Sequence, residues 1–318
     1  MQIVFLASAS FWFDQTVNGL TTGSIYALIA LGYTMVYGVL QLINFAHGEV
    51  FMIGSFAGYG VLVAMGGDDI SGPLIAVSIF LAMLGAIAAS AGSAVVIERV
   101  AYRPLRYSPR LAALISAIGV SIFLQFLVLD MTGARASFYP AIFPSGSVGV
   151  GDFHVDYIQL FLIGASLAMM ASLYIVVQRT STGRAIRAVA EDKDNAALLG
   201  VNVNRTIVIV FILGAAMAAV GGVLYGLFFR GIRGTMGFLP GIKAFTAAVL
   251  GGIGSIPGAM AGGYFLGLAE TVGRELLTRI PGVTFGNEWR DVIAFSLLVL
   301  VLLFRPTGIF GERTFRRA

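Results

Sequence analysis

The feature that most constrains this chain is a succession of apolar runs long enough to cross a bilayer. Tyr157–Gln178 and Thr206–Phe229 are two of them. Each is close to the ~20 residues a helix needs to span about 30 Å of hydrocarbon. Backbone polar groups in hydrocarbon must be satisfied inside helices or a closed barrel. These runs do not alternate apolar and polar residues as barrel strands do, so they read as helices. Composition agrees, with 58% hydrophobic and 11% charged residues against roughly 25% charged in ordinary globular chains. A soluble fold is excluded, and an integral membrane protein in a lipid bilayer is expected.

On this reading Val17–Leu40 and Asn44–Met65 are the first two spans, Pro73–Ile97 the third and Leu111–Leu129 the fourth. Tyr157–Gln178 is the fifth and Thr206–Phe229 the sixth. Leu239–Leu250 and Ala259–Val272 are shorter and flank a glycine-rich break from Gly251 to Gly258, forming a hairpin that is either re-entrant or fully crossing. Val292–Phe304, beginning near Trp289, is the last span. The expected architecture is all-α and polytopic, one transmembrane domain over 1–318. It has about eight spanning helices, with broken or short helices near 41–49 and 239–273. The Gly-, Pro- and Ser-rich stretch 130–156 is expected to hold short strands or turns around Ser147–Gly151.

Basic residues set the orientation. Four arginines lie in 98–110, five Lys/Arg in 179–205 and four arginines in 305–317, against one in 130–156 and none in 66–72. The excess of Lys/Arg on cytoplasmic loops places the three basic segments in the cytoplasm. The net charge of +4 therefore reports orientation rather than nucleic-acid binding.

Between the fifth and sixth spans lies a charged island, Thr182–Asn204. As a helix it places Ile186, Val189, Ala190 and Ala197 on one face, with Arg187, Glu191, Asp192, Asp194 and Asn195 mostly on the other. Leu199-Gly200 supplies a stop, since glycine accepts the left-handed conformation common at helix C-termini. Either this is a surface helix placed to be pushed by a partner, or it is an ordinary loop with a helical turn.

Polar groups at bilayer depth are costly and usually placed for a reason. Asn44, His47 and Glu49 in the first break and Lys243 in the second are the candidates for a pathway or hinge. Glu49 is positioned in sequence to pair with Lys243 or His47. The alternative is that Asn44–Glu49 is a turn at the cytoplasmic surface and that Lys243 snorkels to the outer rim. Gly54-x-x-x-Gly58, Gly222-x-x-x-Gly226 and Gly254-x-x-x-Gly258-x-x-x-Gly262 put small residues one turn apart, which lets helix backbones approach closely. The 17–65 and 239–273 regions share a helix–break–helix pattern that reads as a degenerate internal repeat.

Catalytic signals are missing from the sequence. There is no G-x-x-x-x-G-K-[ST], H-E-x-x-H or G-x-S-x-G motif. No cysteine and only two histidines are present, too few for a typical zinc site. Neither an enzyme nor a bound cofactor is expected. Any uphill transport must draw on an ion gradient or another subunit.

Three blocks carry a family resemblance. Asn18 to Gly38, running on into Ile43-Asn-Phe-Ala-His-Gly-Glu-Val-Phe-Met-Ile-Gly54, resembles the opening of the LivH-type permeases of bacterial branched-chain amino acid ABC importers. Arg187-Ala-x-Ala-Glu191-Asp192 with Ala196-x-Leu-Leu-Gly200 resembles that family's cytoplasmic coupling segment, and Lys243 to Met260 its late hairpin. The likeness covers residues 14–310. It implies a permease subunit that forms the pathway for branched-chain or other neutral amino acids. It also implies a companion permease of the same fold, two cytoplasmic ATPase subunits and an extracytoplasmic amino-acid-binding protein. Coupling to the ATPase then falls to 182–200, with Arg184, Arg187, Glu191, Asp192, Ala196, Leu199 and Gly200 as its residues. Gly251, Gly252, Gly254 and Gly258 join Asn44, His47, Glu49 and Lys243 as pathway or hinge candidates. Relatives that carry urea or short amides keep the substrate open, and a self-sufficient channel or ion-coupled carrier is the rival class.

Overall fold

A computed structural model describes residues 9–106, 108–279, 286–305 and 307–310. The elements in order are α1 (Ala9–Leu40), α2 (His47–Ala64), α3 (Leu74–Ile97), α4 (Arg110–Thr132), strands β1 (Ser137–Phe138), β2 (Ser147–Val150) and β3 (Phe153–Asp156), and α5 (Tyr157–Arg179). Two short helices follow, α6 (Ser181–Glu191) and α7 (Lys193–Leu198). After them come α8 (Val203–Phe229), β4 (Gly231–Ile232), α9 (Phe238–Gly251), α10 (Ile256–Leu277) and α11 (Trp289–Phe304). Helices α1 to α5 and α8 are long and apolar enough to cross a membrane. The fold is the expected polytopic helical bundle, with the hairpin and the last helix where the sequence puts them.

Local chemistry explains the boundaries. Asp156 and Gln159 form a reciprocal capping box that starts α5. Ser255 accepts from the Gly258 N–H at 3.2 Å to start α10, with proline in its first turn. Helix α4 ends at Gly133, whose φ of 77° suits glycine. The β2–β3 hairpin is antiparallel, pairing Ser147 with Asp156 and Val150 with Phe153.

The bundle is built around α1, which is buried almost continuously from Thr21 to Val36. A helix apolar on all sides belongs in the middle of the assembly. Its closest neighbour is α10. A Cβ on Gly23 would stand 2.8 Å from the Tyr264 Cα, and one on Gly19 would stand 3.0 Å from the Leu268 Cα. Gly263 packs on Ala27 and Gly267 on Gly23. Of the three glycine series read from the sequence, Gly54, Gly58, Gly222 and Gly226 pack the α2–α8 seam and its surroundings, and Gly258 and Gly262 the α9–α10 seam. Gly254 has open space around it instead. By contrast α3, α4 and α5 expose Phe80, Phe123, Phe126 and Ile175 on the outside of the bundle.

The first break lies inside the bundle. His47, which opens α2, sits against Gly32 of α1, and Gly32 packs in turn on Gly214 of α8. Gly214 is eleven residues into α8, or about 16 Å from its start at 1.5 Å per residue. The surface-turn reading of Asn44–Glu49 is therefore overturned. Chain reversal happens at the end of α1, where Gln41 has φ 55°, and 42–46 climbs back to mid-depth before α2 begins. Helix α9 also starts at this level, because Gly237 and Gly241 pack directly on Gly48. From there α2 runs to one end of the bundle and α9 to the other.

The two ends differ in chemistry. At one, Glu98 is fully buried and paired with Arg103 at 2.9 Å and with Arg106. Arg106 also donates to Asn204 Oδ1 at 2.5 Å, joining the α3–α4 connection to the start of α8. This is the basic end. There the Ile309 and Phe310 N–H groups donate to the Leu250 and Gly251 carbonyls at 2.9 and 3.0 Å, so the chain beyond α11 clasps the end of α9. Residues 311–318, which hold three of the tail arginines, lie outside the described residues. At the opposite end β1 pairs with β4, and the Tyr139 hydroxyl donates to the Ser55 carbonyl at 2.5 Å, its ring covering Gly226.

These contacts rank glycine substitutions. Gly267→Leu and Gly258→Leu drive a side chain into backbone and are expected to abolish monodisperse protein. Gly221→Ala meets its nearest atom at 3.5 Å and should shift stability by less than about 0.5 kcal/mol. Gly254→Ala is hindered by its φ of 101° rather than by space, and should cost about 1–2 kcal/mol. Thermal unfolding in detergent measures all four.

Candidate functional site

The candidate residues of the first break are held by specific partners. Asn44, 3% exposed, accepts from the Tyr102 hydroxyl at 3.0 Å. Glu49 is fully buried, and Ser121 of α4 donates to its Oε1 at 3.1 Å. Its Oε2 lies against Gly237, the residue before α9, while Glu49 itself occupies the first turn of α2. One carboxylate thus stands at the start of two helices, neither of which has a side-chain cap. Negative charge at a helix N-terminus is favourable by about 0.3–1 kcal/mol, and by up to ~2 when partly buried. His47 packs edge-on to Tyr33, with ring centroids 4.8 Å apart. Neither Lys243 nor His47 pairs with Glu49. None of Asn44, His47 and Glu49 lines the two larger cavities described below.

Lys243 has other partners, which the sequence reading missed. It is buried, 6% exposed. Its Nζ lies 3.1 Å from Glu270 Oε1 on α10 and 2.6 Å from Asp291 Oδ1 on α11. The Tyr26 hydroxyl of α1 donates to Glu270 Oε2 at 3.0 Å and lies 3.4 Å from the lysine nitrogen. A lone carboxylate inside an apolar helix was the available signal.

A cavity of about 280 Å³ adjoins this cluster, lined by Ile25, Tyr26, Tyr225, Phe229, Met236, Leu239 and Lys243 among others. A second, of about 570 Å³, lies at the basic end. Its walls are Thr34, Met35 and Gly38 of α1, Arg187, Ala190 and Glu191 of α6, residues 253–255 with the first two residues of α10, and Phe310. Gly254 lines it, while Gly251 and Gly258 pack on each other and Gly252 packs on Gly308.

The charged island forms two helices, not one. Thr180 caps α6 through the Gly183 N–H at 3.1 Å. Asp192 is extended at φ −154°, and its Oδ1 accepts from the Asp194 and Asn195 N–H groups at 2.9 Å, starting α7. A short acidic side chain captures the freed amides, so the helix restarts there. Gly183, Ile186 and Val189 are buried against the bundle. In α7 the buried residue is Ala196, and Ala197 is exposed, which corrects the expected face. Arg184, Glu191 and Asp192 are exposed, and Arg187 donates to the Val177 carbonyl. Gly200 has φ 82° and ends the unit as expected. Leu198 and Leu199 project from it, 85% and 83% exposed. Lys193 is held below its ordinary pKa by partial burial and then by Arg106, with Asp194 opposing.

Comparison with known proteins places this geometry. Residues 15–302 match the family described as branched-chain amino acid transport system / permease component. The chain is 48% identical over 308 residues to the high-affinity branched-chain amino acid transport system permease protein BraD of Pseudomonas aeruginosa, covering 95% of this chain and 96% of that one. It is 48% identical over 309 residues to LivH of Escherichia coli K12, with the same coverage. A probable branched-chain amino acid transport permease of Methanocaldococcus jannaschii is 27% identical over 301 residues, covering 91% of this chain and 89% of that one.

Removing one partner of a buried ion pair costs about 3–5 kcal/mol when the other charge is left uncompensated. Lys243→Met leaves the buried Glu270 without its cation and should destabilise the protein by that order. Adding Glu270→Met on top should recover a large part of the loss. Unfolding midpoints of the single and double variants test this, and purely additive losses would show that the two groups are not coupled.

Proposed function

The chain belongs to the family of permease components of branched-chain amino acid transport systems, and from that premise we propose how it works as the membrane subunit of an ATP-driven importer. It forms the translocation pathway for branched-chain or other neutral amino acids across a bacterial inner membrane. Energy comes from two cytoplasmic ATPase subunits, substrate from an extracytoplasmic binding protein, and the other half of the pathway from a companion permease of the same fold. Residues 1–318 act as one transmembrane domain, and the basic end faces the cytoplasm.

The observation that carries the coupling role is the α6–α7 unit. One face, through Ile186 and Val189, is fixed to the bundle, and the tip presents Leu198 and Leu199 to the aqueous side. Exposed apolar residues rimmed by charge mark a contact site. We assign Glu191, Leu199 and Gly200 to contact with an ATPase, Arg184 to the same charged surface, and Asp192 and Ala196 to holding the unit's shape. Motion of α6 reaches the interior directly, since Arg187 and Glu191 share a cavity with Gly254 and Phe310. The breaks at 41–46 and 252–255 serve as hinges in this scheme, and Lys243 borders the pathway.

Two measurements test the proposal. The chain has no cysteine, so a cysteine at Asn195 should resist an impermeant thiol reagent in intact cells while one at Ser145 should react. Labelling at position 195 from outside would overturn the orientation. In the reconstituted importer Leu199→Asp or Glu191→Ala is expected to lower substrate-stimulated ATP hydrolysis by about tenfold or more, the scale of a contact worth ~2 kcal/mol. Asp194→Ala should change it little, as exposed pairs contribute about 0–1 kcal/mol.

A further inference from the structure

We infer that the α3–α4 connection is a second transmission element of the importer, in which Glu98 and Arg106 are positioning residues that tie the α6–α7 unit to the first break. This rests on the importer reading above and goes beyond the contact assigned there to α6 and α7. Helix α3 does not end in an ordinary turn. Glu98–Tyr102 form a π turn, closed where the Arg103 N–H donates to the Glu98 carbonyl at 2.7 Å. Such wide turns are rare and recur at functional sites. This one sets Arg103 beside the Glu98 carboxylate and turns both Glu98 and Tyr102 inward, 0% and 2% exposed.

The cluster holds more charge than neutralisation needs. Glu98 accepts from Arg103 at 2.9 Å and also from Arg106, although one arginine balances one carboxylate. The second arginine adds a link, because Arg106 also donates to Asn204 Oδ1 at 2.5 Å. Asn204 is the second residue of α8 and follows closely on Gly200, which ends the α6–α7 unit. Between them the Val201 N–H donates to the Ala196 carbonyl at 3.0 Å, holding α7 to the start of α8. On its inner side the same π turn carries Tyr102, whose ring packs on Phe211 with centroids 5.6 Å apart. Phe211 lies about 10 Å deeper along α8 than Asn204, at 1.5 Å per residue. There the Tyr102 hydroxyl donates to Asn44 at 3.0 Å, on the way into the break. Further along α3, Ser90 donates to the Val50 carbonyl at 2.9 Å, early in α2. Helix α3 therefore grips the break on both sides, and its end is tied to the helix that follows the ATPase-facing unit. A displacement of that unit reaches 44–50 through α3, by residues that line neither of the two larger cavities.

The test uses the full importer, with its ATPase subunits and binding protein, in proteoliposomes. It reads radiolabelled leucine taken up per ATP hydrolysed. Loss of folded complex lowers uptake and hydrolysis together and leaves their ratio unchanged, so the ratio reports positioning. Asn204→Ala, a truncation at an exposed residue, should lower the ratio at least fivefold. Asn204→Asp still accepts from Arg106 and should stay within twofold of wild type. Arg106→Lys keeps a charge on Glu98 but loses the fork that reaches two partners at once, and should match Asn204→Ala. Tyr102→Phe keeps its ring on Phe211, removes the bond to Asn44 and should cost as much. Changes along one path are not independent. The double variant of Asn204→Ala and Tyr102→Phe should therefore stay within twofold of the stronger single one. A wild-type ratio in Asn204→Ala, equal losses in Asn204→Ala and Asn204→Asp, or multiplied losses in the double variant would overturn the inference. If Tyr102→Phe fails to assemble, the two Asn204 variants decide. These outcomes leave the importer reading standing. That reading fails separately, if wild-type proteoliposomes supplied with ATP take up no neutral amino acid.

Discussion

The structure depends on how it satisfies backbone groups where there is no water. Each helix start leaves N–H groups without intrahelical partners, and in hydrocarbon an unsatisfied one costs several kcal/mol. This chain nevertheless starts two helices at mid-depth. It brings the starts of α2 and α9 together through Gly48, Gly237 and Gly241 and sets Glu49 between them. A buried carboxylate, expensive alone, is offset by two positive helix ends and the Ser121 hydroxyl. Asn44 and Tyr102 secure the irregular segment that leads in. Broken helices are tolerated at this depth when protein encloses them, and α1, α8 and α9 enclose this one.

Packing around that centre is close because it must be. Lipid tails are as apolar as leucine, so no hydrophobic force drives helices together within the membrane, and small residues give them contact instead. The α1–α10 seam of Gly19, Gly23, Gly263 and Gly267 is of this kind. A seam in which backbone touches backbone does not slide by small amounts. Gly254, with φ 101°, and the cavity at the basic end are places without such contact.

The spans were legible in the sequence because length and apolarity are local properties, and α1, α3, α4, α5, α8 and α11 begin or end within a few residues of their expected limits, apart from the eight-residue extension at the start of α1. Depth was not legible. The polarity of Gln41 to Glu49 reads as a surface turn, because one sequence does not show that Gly32 leaves a niche for His47. The partner of Lys243 was also out of reach, since Glu270 and Asp291 come from two later helices whose relative rotation is a packing outcome. The island's amphipathic face was correct through Val189 and failed at Ala197. There the competing interaction was local, an aspartate whose side chain caps better than it continues a helix.

Helix α11 shows how the two ends of the bundle can act together. Its first turn is tied to α9 through Asp291 and Lys243, and the segment beyond its last turn is tied to α9 again, at Leu250 and Gly251. The first link is an ion pair with a partly exposed carboxylate. The second is a pair of backbone hydrogen bonds locked by the packing of Gly308 on Gly252. An event that loosens the first and leaves the second intact turns α11 about its clasp rather than releasing it. Phe310, just beyond the clasp, lines the same cavity as Arg187 and Glu191 of α6. The Lys243 cluster is therefore tied through α11 and its clasp on α9 to the wall of the cavity that α6 also lines.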